Sequence, residues 1–87
     1  MGGAQIEAQV RRYRLLVVVG DRAGAYGQAE HDCRAGLALA LARLPGSAEA
    51  ARLYAQLGVI MMRRGEYLQA EQTCHQGLAT LPAPPAA

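Results

Sequence analysis

The sequence predicts an all-α protein of four helices, built as two antiparallel helix-turn-helix hairpins. Three observations carry this. First, the 87-residue chain is 52% hydrophobic and 18% charged, enough apolar content to fold as one small domain. Alanine, leucine and glycine carry the packing, and β-branched residues are few outside Val17–Val19, which disfavours strands. Second, the segment GAYGQAEHDCRAGLA (Gly24–Ala38) returns as GEYLQAEQTCHQGLA (Gly65–Ala79), so that Ala29 and Ala70 stand 41 residues apart. The same spacing pairs Tyr13 with Tyr54 and Leu16 with Leu57, the mark of an internal repeat. Third, apolar residues recur every three or four positions between glycine and proline breaks, the period of an amphipathic helix.

The first copy spans residues 5–44, after a loose start at 1–4. Its first helix is expected over 5–21, with Ile6, Val10, Tyr13, Leu16 and Val17 turned inward, and Gly24 breaks it. Its second helix is expected over 26–44. Pro45, Gly46 and Ser47 then form the turn between copies. The second copy spans 45–82. Ser47 can cap a helix over 48–64, because its hydroxyl can accept from a free backbone N–H of the first turn. Leu53, Leu57, Ile60 and Met61 make one apolar stripe, and Arg63 and Arg64 sit in the last turn, where the helix dipole favours cations. Gly65 closes this helix in a left-handed or open conformation. The last helix is expected over 67–81, with Ala70, Cys74, Gly77, Leu78 and Leu81 on one face, and Pro82 stops it. The Pro/Ala tail at 83–87 is expected to be disordered.

These residues resemble the tetratricopeptide repeat. Its pattern is an aromatic, then Leu-Gly, a large residue, Ala, a bulky residue and a closing Pro. In the second copy Tyr54, Leu57, Gly58, Met61, Ala70, Cys74 and Pro82 take those places, with Gly65 and Tyr67 at the turn and Gly77 at a second small site. In the first copy they are Tyr13, Leu16, Ala29, Cys33 and Gly36, with Gly24 and Tyr26 at the turn. That copy departs at Val17, where glycine is usual, and at Gly20, where a large residue is usual. The resemblance implies an α-solenoid fragment. Small residues at Ala29, Gly36, Ala70 and Gly77 would let paired helices lie close, with Tyr13 and Tyr54 opposite them. The period exceeds the usual 34 by roughly two helical turns. With Ala29–Glu30 and Ala70–Glu71 opening the second helices, the chain is similar to the kinesin-light-chain type.

Little in the sequence points to chemistry. No nucleophile elbow, P-loop, HExxH or paired-carboxylate pattern is present, and the stretch VVVGDRAG (Val17–Gly24) lacks the spacing of a dinucleotide loop. Cys33 and Cys74 fall at equivalent inward positions, where a free cysteine packs as a small hydrophobe. His31 and His75 diverge from them around the helix and are expected to face solvent, so no zinc site and no cofactor is expected. A net charge of +2, four tyrosines and no other aromatic speak against nucleic-acid binding. No signal peptide or membrane span is visible, and Ile6 stands where a myristoylation signal needs Ser or Thr. A cytoplasmic, non-enzymatic protein is expected.

The resemblance places a concave groove on the first helix of each copy. Its outward residues are Arg11, Arg14, Val18 and Arg22, then Arg52, Ala55, Val59, Met62 and Arg63. An apolar floor of Val18, Val59 and Met62 with an arginine rim suits a peptide with apolar anchors and acidic flanks. The family's carboxylate clamp needs Asn where Val18 and Val59 stand, so that clamp is not expected. A second expectation concerns the end of the stack. Two units without a capping helix leave apolar surface along Leu68, Gln72, Leu78 and Leu81. The chain is then either a piece of a longer array or a homodimer formed through that end.

Overall fold

The computed structural model describes residues 2–81, and the expectations for the tail at 83–87 lie outside them. Four helices follow in order, α1 (Gly3–Arg22), α2 (Tyr26–Arg43), α3 (Ala48–Arg63) and α4 (Tyr67–Thr80). There is no strand among the described residues. The fold class is all-α, as the apolar periodicity requires. α1 pairs with α2 and α3 with α4. The two hairpins meet mainly through α2 and α3, with a lesser contact of α1 on α3. Among the described residues α4 packs on α3 alone.

The helix ends follow from local chemistry. Ser47 Oγ accepts from the Ala50 N–H at 3.3 Å and caps α3. Both hairpin turns use a glycine with positive φ, Gly24 at 76° and Gly65 at 80°. In each turn the next N–H reaches back five residues, Ala25 to the Gly20 carbonyl and Glu66 to the Met61 carbonyl, both at 2.8 Å. This closure satisfies carbonyls that a helix end leaves bare. α1 starts earlier than expected. The Ile6 N–H bonds the Gly2 carbonyl at 2.7 Å, so Gly3 already belongs to the helix.

The core lies between the two layers. Val10, Val17, Cys33, Leu53 and Ile60 are fully buried, with Ala29, Ala40 and Ala50 beside them. Close approach comes from missing side chains. A Cβ on Gly36 would lie 2.7 Å from Tyr13 Cβ, and one on Gly77 the same distance from Tyr54 Cβ. In the first copy Gly20 takes over as the small site, where an added Cβ would lie 3.0 Å from Ala29 Cβ, while in the second a Cβ on Gly58 would lie 2.9 Å from Cys74 Sγ. The exchange of Val17 and Gly20 thus moves the contact by one turn without opening the core.

Two inward assignments need correction. Leu16 is 44% exposed, because no helix lies outside α1 at that end. Cys74 is exposed. It touches α3 near Gly58, yet nothing covers its other side among the described residues.

Candidate binding groove

The outward faces of α1 and α3 enclose a shallow groove of about 400 Å³, lined by Val17, Val18, Asp21, Ala55, Gln56 and Val59 with Arg22, Ile60 and Arg63. It continues into a smaller depression formed by Arg11, Arg14, Leu15, Val18 and Gln56. Val18, Arg22, Ala55, Val59 and Arg63 fall every three or four positions on the side away from the core, and the buried Val17 and Ile60 close the groove from beneath. Val18 and Val59 are partly exposed and form the floor. Met62 is exposed but does not line the groove, and neither does Arg52. Leu15, Asp21 and Gln56 line it although the sequence did not single them out. Gln56 was within reach, since it shares a face with Arg52, Val59 and Arg63.

The rim is less positive than its arginines suggest. Arg14 donates to Glu49 Oε2 at 3.0 Å, and Arg63 Nε sits 2.6 Å from Asp21 Oδ1. Arg52 approaches Glu49 at 3.8 Å, and Arg11 approaches Glu7 at 3.9 Å. Of the predicted rim, Arg22 alone has no carboxylate partner among the described residues. Two of these pairs tie α1 to α3, so they brace the groove as well as charge it.

Polar capacity remains unused at the same place. Arg14 Nε, Asp21 Oδ1 and Gln56 Oε1 are buried and lack a hydrogen-bond partner. Asp21 Oδ1 is met instead by the Arg63 guanidinium as an ion pair. Gln56 is held from its other end, where Nε2 donates to the Arg14 carbonyl at 3.4 Å. A buried polar atom left unpaired costs about 1–3 kcal/mol, which applies to Arg14 Nε and Gln56 Oε1, since Asp21 Oδ1 has its ion pair.

The other predicted surface divides. Leu78 and Leu81 join Ala51, Ala55, Cys74 and Gly77 around an almost wholly apolar depression between α3 and α4. Leu68 and Gln72 are exposed on a different strip of that helix and do not line it. Their counterparts in the first hairpin, Gly27 and His31, are exposed as well.

His31 and His75 face solvent. Cys33 is the perturbed titratable group. Burial pushes its thiol up to about 12, against a smaller opposing pull from Arg34. Among the described residues no three His, Cys, Asp or Glu side chains gather to hold a metal, and no helix is long and apolar enough to cross a membrane. No family model, curated protein or solved structure matches the chain.

Proposed function

We propose that the chain is a non-catalytic protein-interaction module of the tetratricopeptide kind, which takes an extended peptide into the groove between α1 and α3. The observation that carries this reading is the apolar floor, Val18 and Val59, set between α1 and α3 and bounded by the polar side chains of Asp21, Arg22, Gln56 and Arg63. Apolar anchors of a peptide fill the floor, and its polar groups meet the side chains that bound it. Acidic flanks gain chiefly from Arg22, because the other rim arginines are already paired. A nucleophilic role for Cys33 is disfavoured, since its burial suppresses the thiolate such chemistry needs. Two free thiols suit a reducing, cytoplasmic setting.

Selection of displayed random peptides against the whole chain tests this. Enriched peptides are expected to lose binding to a Val18→Glu, Val59→Glu double variant that keeps its helical circular dichroism. Enriched peptides indifferent to that change, or no enrichment at all, would overturn the reading.

A further inference from the structure

The two hairpins differ in what covers their second helix. In α2, Cys33 and Ala40 are fully buried and Leu37 is 8% exposed, because α3 lies across them. Forty-one residues on, the matching positions of α4 are Cys74, Leu78 and Leu81. Cys74 is exposed, Leu78 is 67% exposed and Leu81 is 41% exposed. The apolar face of α4 is thus a second copy of a docking face whose occupant is visible in the same molecule.

The occupant's chemistry can be read from α3. It presents Ala50, Leu53 and Leu57, all buried. Cys33 Sγ donates to the Leu53 carbonyl at 3.1 Å. One further contact is ionic. Arg64, just past the end of α3, pairs with Glu30 at 2.7 Å. The counterpart of Glu30 on α4 is Glu71, whose side chain is 72% exposed against 24% for Glu30. Among the described residues the one basic side chain near it is His75, at 3.9 Å. Face and carboxylate are therefore both unfilled, in the register that α3 fills on α2.

A second copy of the chain does not supply this pattern head to tail. The residues of α1 that match Ala50, Leu53 and Arg64 are Gln9, Arg12 and Ala23. Only Leu16, matching Leu57, fits. Stacking α1 on α4 would desolvate a guanidinium and an amide against leucines and leave Glu71 without its arginine. α1 therefore presents Gln9 and Arg12 where α3 presents Ala50 and Leu53.

We infer that the α4 face of Cys74, Leu78, Leu81 and Glu71 docks an amphipathic helix of another protein. That helix carries a small residue, Leu and Leu at positions i, i+3 and i+7, and an Arg at i+14. The occupied face on α2 sets the register, and Glu71 sets the polarity of the helix. This stands apart from the peptide groove and does not depend on it.

A labelled peptide of residues 45–66 serves as the probe, titrated into the full chain by fluorescence anisotropy. Saturable binding is expected, weakened at least tenfold by Leu78→Glu, a substitution at an exposed site whose fold circular dichroism checks. Glu71→Arg should weaken binding several-fold, and a peptide carrying Arg64→Glu should restore it. Bound peptide should also slow alkylation of Cys74. Binding that ignores Leu78→Glu would mean that the peptide replaces α3 within the fold, and overturns the proposal. So does a lack of saturation at millimolar peptide. A homodimer that dissociates on Leu78→Glu and resists competition by the peptide would assign the face to a second copy and overturn it equally. Val18→Glu with Val59→Glu should leave this binding intact, which separates its failure from that of the groove.

Discussion

Tyr13 Cβ stands 2.7 Å from where a side-chain carbon on Gly36 would be, and this contact sets how closely α1 and α2 approach. The neighbour is a β-carbon fixed to its own helix, not the end of a flexible chain, so it cannot swing away. Gly36→Ala should therefore destabilise the fold by about 1–3 kcal/mol from overpacking, less about 1 kcal/mol regained in helix propensity. Gly77→Ala should behave alike against Tyr54. Gly27→Ala, where a Cβ meets nothing within 4 Å, should be neutral or slightly stabilising. Urea melts of the three variants, followed by circular dichroism, give the comparison.

Gly65 provides a separate check on the hairpin turn. Its φ of 80° costs a side-chain-bearing residue about 1–2 kcal/mol. Gly65→Ala should lower stability by that amount, and Gly65→Asn by less, because Asn tolerates the left-handed region. Equal losses for both would point to a cause other than backbone conformation.

Cys33 predicts a pH dependence. Its thiol is raised from 9.0 to about 12 by burial, so the folded state resists deprotonation that the unfolded chain accepts. The stabilising contribution is complete below about pH 9 and is lost as pH rises from there towards about 12. Denaturation midpoints should fall across that window, and Cys33→Ala should show a shallower fall. At pH 8, one equivalent of alkylating reagent should label Cys74, with Cys33 reacting only on unfolding.

Gln56 should show a trade between stability and binding. Its Oε1 is buried without a partner, and among the described residues its side chain makes one hydrogen bond, the 3.4 Å contact to the Arg14 carbonyl. Gln56→Leu should leave stability unchanged or raise it by up to about 1 kcal/mol, while weakening peptides selected on the groove. A loss of stability beyond about 1 kcal/mol would mean that the amide is structural.

Local features of the fold were legible in the sequence because each depends on a few adjacent residues. Gly24 and Gly65 mark the turns, Ser47 marks the cap, and helix boundaries follow within about two residues. The resemblance set Tyr13 and Tyr54 opposite the small sites of the second helices, and the structure resolves these contacts as Tyr13 on Gly36 and Tyr54 on Gly77. The site was legible only in outline. Val18, Val59 and Arg22 were placed on the groove, but the pairing of Arg63 with Asp21 and of Arg14 with Glu49 joins residues far apart in the chain. No periodicity reveals such pairs.

Cys33 and Cys74 mark the boundary between the two kinds of information. They share residue type, helix and register, and the sequence assigned both inward. The sequence by itself determined which way each points, because that follows from helical geometry within one element. Only the tertiary structure decided that α3 covers Cys33 while Cys74 and Leu78 stay open. Burial depends on a neighbouring helix arriving from elsewhere in the chain, and the helix that carries the residue has no say in that.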